Sequence, residues 1–360
     1  MIIVDAHEDL VWNMLSFGRD YTQSVAQTRL REANTPIPGY VGQAMLGWPD
    51  WIAGQVGVIF ATLYASPARR ARSWATQYYH QAEEAYQLLQ AQLRLYQKLV
   101  TDHADKFYLI SSRADLRAGL VDWAGLAQDR RRVGLVLLVE GADGIRQPSE
   151  LPYWYEQGVR IIGPAWAATR YAGGTAEPGP FTEAGRALLQ SMAELGLILD
   201  LSHLTDEAVE EALDRYPGSI IASHSNARAL LGDNDPDRHL SDRTIRCIAA
   251  RQGVIGVVLP NDFLKNGVRL SDPRSRVTLV DVVAHIDYSC QLVGGVGHIG
   301  LGSDLDGGFG LEHVPSGLDS VADLPRIGEA LDKRGYNSAE VEAVLGRNWL
   351  NLLERTLPER

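Results

Sequence analysis

Two residues that can bind a metal ion stand at the end of the first apolar run of the chain. Residues 2–4 are Ile-Ile-Val, and His7 and Asp9 follow within the sequence Asp-Ala-His-Glu-Asp. Because residues i and i+2 of an extended chain share a face, the imidazole and the carboxylate can reach one ion. The pair alone fits equally well a hydrogen bond from His7 to Asp9 or a cap on the next turn.

Four later apolar runs also end in a polar side chain. Glu140 follows residues 134–139, His203 follows 197–201, His224 follows 219–222 and Asp304 follows 298–302. Taken singly, each of these side chains has a structural explanation, such as a hydrogen-bonded core histidine or an aspartate that caps a helix. A buried carboxylate without a partner is costly, however, and the same design recurs at one end of several strands. The repetition favours one shared metal site.

The set of donors predicts two zinc ions. The predicted ligands are His7, Asp9, Glu140, His203 and His224. They offer nitrogen and oxygen without thiolate, which suits zinc or a similar divalent ion. A catalytic zinc usually takes three protein ligands, so five ligands with one shared carboxylate indicate two ions about 3.5 to 4 Å apart. Glu140 is the natural bridge, and Asp304 is left to transfer protons.

The elements that must position these residues are alternating strands and helices. Eight short apolar runs are predicted strands: residues 2–5, 56–63, 134–139, 159–162, 197–201, 219–222, 254–258 and 298–302. Amphipathic helices are predicted over residues 74–101, 180–194, 205–216, 242–251 and 279–293. This alternation is typical of an α/β fold of the (β/α)₈ barrel type, in which active sites lie at the carboxyl ends of the strands.

The whole chain, residues 1–360, is predicted to form a single barrel domain. Residues 16–50 are rich in Gly and Pro and are predicted to form a long loop after the first strand. A second Gly-rich and Pro-rich stretch, residues 171–180, follows the fourth strand. Both loops are expected on the catalytic face of the barrel.

The remaining histidines and the tryptophans are assigned by their positions along the chain. His80, His103, His285 and His298 are interpreted as structural or solvated. His239 and His313 fall in loops that could approach the mouth, and their role is left open. Trp12, Trp48, Trp51 and Trp166 fall on or near the same loops and are candidates for lining a substrate pocket.

Composition restricts the function classes. The 360 residues are 45% hydrophobic and 22% charged, which is ordinary globular composition. A formal net charge of -11 argues against nucleic-acid and anionic-membrane partners. Cys247 and Cys290 are too few for a disulfide framework. With no signal peptide or long apolar segment in evidence, a soluble cytoplasmic protein is expected, and its oligomeric state, with a homodimer among the options, is left open.

These motifs resemble the membrane dipeptidase (renal dipeptidase) family of zinc peptidases along essentially the whole chain. The resemblance rests on Asp-Ala-His-Glu-Asp-Leu at 5–10, Val-Glu-Gly at 139–141, Asp-Leu-Ser-His at 200–203, Ser-His-Ser at 223–225, Gly-Ser-Asp-Leu-Asp-Gly at 302–307 and Gly-Arg-Asn at 346–348. It implies that His7, Asp9 and bridging Glu140 hold one zinc, and Glu140, His203 and His224 the other. It also implies that a hydroxide bridging the ions attacks a dipeptide amide, with Asp304 as the acid/base residue.

Two further residues follow from the resemblance. The family holds the substrate's terminal carboxylate with an arginine in a motif that Arg238-His239-Leu240-Ser241-Asp242 fits, except that His239 replaces asparagine. Arg238 is therefore implied to bind the carboxylate, with a surface salt bridge as the alternative. After Gly158-Val159-Arg160 the family places a catalytic histidine, where this chain has Trp166. Indole can donate a hydrogen bond but cannot titrate.

The expected function is a zinc-dependent dipeptidase acting on small dipeptides with a free carboxylate. Trp166 and the unusual loop 16–50 motivate an alternative, in which the same metal centre acts on another small amide, a lactone or a modified peptide. A metal-binding relative without turnover is the third interpretation, and the retention of Asp304 beside a full set of ligands argues against it.

Overall fold

Parallel strands form the centre of the molecule, which is described by a computed structural model over residues 1–232, 238–269 and 271–360. We number the eight barrel strands of these residues in chain order. They are β1 (Ile3–Glu8), β2 (Val56–Tyr64), β3 (Val133–Glu140), β4 (Val159–Gly163), β5 (Ile198–Asp200), β6 (Ile220–Ile221), β7 (Ile255–Val257) and β8 (Ile299–Leu301). Every one falls within or beside a predicted strand.

The strands pair in chain order around a (β/α)₈ barrel. The hydrogen-bonded path runs from β6 through β5, β4, β3, β2, β1 and β8 to β7. A parallel bridge between Ala222 and Ile255 joins its two ends. The predicted fold class is thereby confirmed. The sequence-based prediction missed the strand Phe107–Leu109, which pairs with the first residues of β3.

Alternation along β3 sets the direction of Glu140. Val136 and Leu138 belong to the apolar cluster inside the barrel, whereas Leu137 and Val139 pack with the helical layer. Successive side chains of a strand point to opposite faces, so Glu140 continues the inward series at the carboxyl end. The inside of the barrel is apolar below this level, which confines the polar chemistry to the mouth.

Helices surround the barrel and extend its connections. The longer ones are Leu10–Phe17, Val25–Glu32, Ala82–Asp102, Arg113–Gly125, Glu183–Glu194, Asp206–Arg215, Asp242–Ala250, Leu279–Val293, Pro325–Arg334 and Asn348–Thr356. The shorter ones are Ile37–Val41, Trp48–Ala53, Leu151–Glu156, Asn261–Leu264, Ser338–Glu342 and the π-helical turn Ala343–Arg347. No helix of the described ranges has both the length and the apolar character that a bilayer crossing needs.

Two predictions about the connections were wrong. The helix predicted over residues 74–101 begins only at Ala82, and the preceding residues form an irregular segment with a short strand pair, Ser66–Pro67 with Tyr78–Tyr79. The segment 16–50 is partly helical rather than a continuous loop, since Val25–Glu32 is a helix closed by a capping box at Ser24. Residues 171–180 do form a hairpin-like crossing of the mouth, with Ala172–Gly174 antiparallel to Glu177–Phe181.

A buried ionic network ties segment 16–50 to the loop after β8. Arg19 Nη1 lies 3.1 Å from Asp306 Oδ1, and its other guanidinium nitrogens donate to Glu32. Tyr21 and the Met45 backbone N–H also donate to the Asp306 carboxylate. Since all these groups are buried, breaking the network would leave a charge without its partner. The loop that carries Asp304 is therefore fixed against the first loop of the barrel.

Candidate metal centre

Three imidazole nitrogens converge on one carboxylate oxygen at the carboxyl ends of the strands. Glu140 Oε1 lies 3.6 Å from His7 Nε2, 3.0 Å from His203 Nε2 and 3.5 Å from His224 Nε2. The Nε2 atoms of His203 and His224 are 2.9 Å apart. Sequence reasoning placed these four residues on four strands or strand ends, and the fold brings them into contact.

Asp9 and Asp304 complete the cluster beside His7. Donor atoms of His7, Asp9 and Asp304 lie within 4.8 Å of one another, as do those of His7, Glu140 and His224. The Asp304 carboxylate therefore stands where it could also bind an ion, a role that the sequence analysis did not give it. Its Oδ1 is 3.9 Å from His7 Nε2. All six predicted residues of the centre thus lie together.

A register irregularity in β1 decides which side chain enters the centre. Pairing between β1 and β2 shifts between Asp5 and Glu8. Beyond Asp5, His7 reaches Glu140, whereas Glu8 accepts a hydrogen bond of 3.1 Å from Trp51 Nε1. Asp9 is held from β2, where the Thr62 hydroxyl donates to its Oδ1.

Hydrogen bonds orient two of the imidazoles with Nε2 toward the centre. The Ser223 hydroxyl donates to Asp200, so its oxygen can accept from His224 Nδ1, 2.7 Å away. His224 Nε2 then carries the lone pair. Thr175 Oγ1, from the loop over the mouth, lies 2.8 Å from His203 Nδ1. A partner on the second ring nitrogen is a common feature of histidines that bind metal. Asp200, Ser223 and Thr175 are thus positioning residues, which sequence reasoning did not assign.

The electrostatics of the cluster fit a divalent cation. Burial, followed by the nearby Arg238 charge, lowers the pKa of His7 to about 3, and burial likewise lowers the pKa of His203 and His224. Neutral imidazole is the form that binds metal. Burial and the neighbouring carboxylates raise the pKa of Glu140. A bound cation would relieve the repulsion between these carboxylates. The nitrogen and oxygen donors suit zinc.

Unusual backbone angles occur at two residues of the centre. His203 has φ of 70° and Asp304 has φ of 59°, in the left-handed region that non-glycine residues rarely adopt. Strain of this kind clusters at functional sites. Gly307 makes room for Asp304, because a Cβ at position 307 would lie 1.8 Å from Asp304 Oδ1 and 3.0 Å from Asp9 Oδ2.

Arg238 lies buried at the edge of the same centre. Its Nη1 donates to the His224 carbonyl oxygen at 3.0 Å and to Ser225 Oγ at 3.3 Å, and its guanidinium lies 5.0 Å from the centroid of the Phe263 ring. The residue is only 2% exposed and so lies in the interior rather than on the protein surface. A planar guanidinium in this position can bind a carboxylate in bidentate fashion.

A cavity of about 740 Å³ opens above the centre. Its lining includes Asp9, Glu140, His203, Arg238, Asp304 and Trp166. The Trp166 ring centroid is 6.2 Å from that of His203 and 5.3 Å from that of Tyr64. Trp166 therefore faces the site, as its place in the sequence predicted, and presents an aromatic surface beside a metal-ligand candidate.

Comparison with known proteins decides the family. The model of the membrane dipeptidase family, peptidase family M19, matches residues 1–357 of the chain. The chain belongs to this family. Its members are metallohydrolases of the dipeptidase type, and the resemblance inferred from the sequence motifs is confirmed.

Three related proteins are similar to the chain over most of its length. An uncharacterised protein encoded in the pqqA 5' region of Klebsiella pneumoniae is 32% identical over 278 residues, which is 74% of this chain and 95% of that protein. The dipeptidase tcpJ of Claviceps purpurea is 27% identical over 84% of this chain and 67% of its own length. A Rhodobacter sphaeroides metallopeptidase, solved with a phosphinate mimic of L-Ala-D-Ala, shares the fold with a TM-score of 0.78, at 24% identity over 99% of both chains.

The other aromatic and histidine predictions had mixed outcomes. Trp12 lines the cavity, but Trp48 and Trp51 do not, and Trp51 is fully buried against Tyr21 and Phe107. His313 lines the cavity, whereas His239 is buried behind Phe263. The histidines interpreted as structural, His80, His103, His285 and His298, lie outside the cavity lining. Sequence reasoning missed Tyr40, Tyr64 and Trp74 in that lining.

Proposed function

We propose that the protein is a zinc-dependent dipeptidase that cleaves the amide bond of small dipeptides with a free carboxylate. The observation that carries the proposal is the convergence of three imidazole Nε2 atoms on Glu140 Oε1 at the floor of a cavity. The related dipeptidases and the dipeptide mimic in the Rhodobacter structure support the substrate class.

Five residues would hold two zinc ions. His7, Asp9 and Glu140 would hold one, and Glu140, His203 and His224 would hold the other. Bound there, the ions would polarise the amide carbonyl and activate water. Glu140 is suited to the shared position because its Oε1 lies within 3.6 Å of each imidazole.

Arg238 and Asp304 would act on the substrate directly. Arg238 would bind the terminal carboxylate and so place the amide bond over the centre, which reduces the entropic cost of reaction. Asp304 would accept a proton from the attacking water and deliver it to the leaving amine nitrogen. Both side chains line the cavity, as these roles require.

A metal and substrate measurement tests the proposal. We expect the isolated protein to hold about two zinc ions per chain, as two-metal hydrolases do, and to hydrolyse dipeptides of the types X-Gly and X-D-Ala. Chelation should abolish hydrolysis and added zinc should restore it. The matched dipeptide amides should be poor substrates, because they lack the carboxylate for Arg238. A zinc-loaded protein that cleaves no dipeptide of the panel would contradict the proposal.

The Trp166 ring favours a second candidate, in which the same centre acts on another small amide, a lactone or a modified peptide. Under the dipeptidase proposal, Trp166→His should bring no gain in kcat/KM for dipeptides. Under the second candidate, the new imidazole should raise it on the order of 10²-fold, the value of one donor to an oxyanion. Trp166→Phe is the matched control, since it keeps an aromatic ring and removes the N–H.

We also propose that residues 1–360 form one domain and that the protein works in the cytoplasm. The barrel strands span Ile3 to Leu301, and Trp349 of the last helix packs against Phe60 inside the barrel. Cys247 and Cys290 are not bridged, which is the usual state of thiols in that compartment.

A further inference from the structure

Five aromatic side chains lie along one side of the cavity, next to the lining residues Ser66, Arg69, Arg70, Ala71, Arg72 and Ala75 of the loop after β2. We call these five side chains the aromatic wall. It consists of Trp12, Tyr40, Tyr64, Trp74 and Trp166, all of which line the cavity. With about 740 Å³, the cavity lies in the range of pockets that take drug-sized ligands, well above what a dipeptide of two alanines fills. Both the extra volume and the aromatic wall favour a substrate with a large apolar group.

The inner part of the aromatic wall begins at the metal centre. Trp166 and Tyr64 meet edge to face with centroids 5.3 Å apart, and the Trp166 ring lies 6.2 Å from His203. Tyr64 is the last residue of β2, and its alternation with Thr62 and Phe60 turns it inward. An apolar group attached next to the reacting carbonyl would therefore meet Trp166 first.

The outer part continues to the rim. The Trp12 ring centroid lies 6.4 Å from that of Tyr64 and 6.1 Å from that of Trp74. Trp74 in turn stacks on Tyr40, with ring centroids 5.4 Å apart and an angle of 10° between the rings. Trp74 is half-buried and Tyr40 is 43% exposed. Their ring surfaces are thus accessible from the cavity rather than sealed in the core.

Hydrogen bonds hold the two loops of the wall in place. Arg69, in the segment before Trp74, donates to the Ala168 carbonyl oxygen at 2.5 Å and to Glu177 at 2.7 Å. Glu177 accepts in addition from the Ala168 N–H at 3.1 Å. The loop after β2 is thereby fixed to the loop that carries Trp166. A wall that is already ordered binds a ring without an additional ordering cost.

The aromatic wall and Arg238 stand on opposite halves of the mouth. The wall comes from the loops after β1, β2 and β4, whereas Arg238, Phe263 and Phe309 come from the loops after β6, β7 and β8. The strands follow one another in chain order around the barrel, so these two groups face each other across the centre. A dipeptide whose carboxylate is at Arg238 would direct its first residue to the wall.

We propose that the enzyme prefers dipeptides whose first residue carries an aromatic side chain, which packs on the aromatic wall. This inference rests on the proposed dipeptidase function and narrows its substrate class. The preference arises because stacked and edge-to-face rings add to the burial of a large apolar surface. A small first residue leaves the wall in contact with water.

The test compares Phe-Gly and Trp-Gly with Ala-Gly, since glycine at the second position removes any question of its stereochemistry. We expect kcat/KM for the aromatic dipeptides to be about tenfold or more above that for Ala-Gly, the scale of discrimination by side-chain size in apolar pockets. In Trp74→Ala the ratio of Phe-Gly to Ala-Gly should fall toward one, chiefly through a higher KM for Phe-Gly. Trp166→Leu is the second variant should Trp74→Ala not fold.

The matched control is Tyr78→Ala. Tyr78 lies in the same segment, is 42% exposed and does not line the cavity, so this variant should keep the wild-type ratio. Cleavage of all three dipeptides at equal kcat/KM would overturn the preference and leave the dipeptidase function intact. Failure to cleave any of them would overturn the dipeptidase function. The preference is then judged by calorimetric binding to zinc-loaded Asp304→Asn, where equal affinity for Phe-Gly and Ala-Gly, or binding of neither, would overturn it.

Discussion

Glu140→Gln should lose bound zinc and nearly all hydrolytic activity while the barrel stays folded. All three imidazoles of the centre approach Glu140 Oε1, with Nε2 atoms at 3.0 to 3.6 Å from it. Glutamine keeps the shape of the side chain but removes the charge that two cations would share. Metal-ion catalysis is worth several kcal/mol, so we expect kcat to fall by about 10³-fold or more. Elemental analysis and dipeptide hydrolysis measure the two effects.

Glu8→Gln is the matched control for this variant. Glu8 is also buried, at the end of strand β1, but it accepts a hydrogen bond from Trp51 instead of facing the imidazoles. Burial raises its pKa well above the usual range, so the neutral glutamine resembles the protonated acid. We expect zinc content and hydrolysis close to wild type. Full zinc content in Glu140→Gln would contradict the role of Glu140 as the bridge.

The barrel and the clustering of the candidate metal ligands could be predicted from the sequence because two simple regularities coincide. A strand buried on both faces has to be an apolar run, and a polar residue directly after it lies at the carboxyl end of the barrel. Glu140 directly follows its run and His224 follows its own run after one intervening residue, and the structure places Glu140 Oε1 3.5 Å from His224 Nε2. Because successive side chains along β3 point alternately inward and outward, Glu140 points inward like Val136 and Leu138. This direction follows without knowledge of the neighbouring strands.

The cavity walls could not be predicted in the same way. Trp51 and Trp12 both follow β1, yet Trp51 is fully buried and Trp12 faces the cavity, since the direction of a side chain in an irregular segment depends on tertiary packing. Trp74 was placed in a predicted helix that begins only at Ala82. Residues 74–81 carry apolar and polar residues that fit a helical period, but Arg69 holds the preceding residues on Glu177 instead. Local periodicity contains no information on that contact.

Asp304→Asn should lower kcat by about 10² to 10⁴-fold, the usual contribution of a positioned acid/base residue, and leave the zinc content unchanged. The carboxylate lines the cavity, and its backbone N–H donates to the His7 carbonyl oxygen at 3.2 Å. Asparagine fits the space that Gly307 leaves and keeps an oxygen toward His7, but it cannot accept and deliver a proton. The loss should appear in kcat rather than in KM, because the proposed contact of Arg238 with the substrate carboxylate is unchanged in this variant.

Metal content separates the two roles that the geometry allows for Asp304. Its donor atom shares a group of possible ligands with His7 and Asp9, so the residue could bind an ion as well as transfer a proton. Loss of about one zinc per chain in Asp304→Asn would show that Asp304 is a metal ligand, because removal of its charge would then lower kcat through the missing ion. Retained zinc with unchanged kcat would remove it from the mechanism. Retained zinc with the expected loss of kcat would assign Asp304 to proton transfer. The melting temperature and the affinity for Phe-Gly should then be unchanged, which would show that the site is intact.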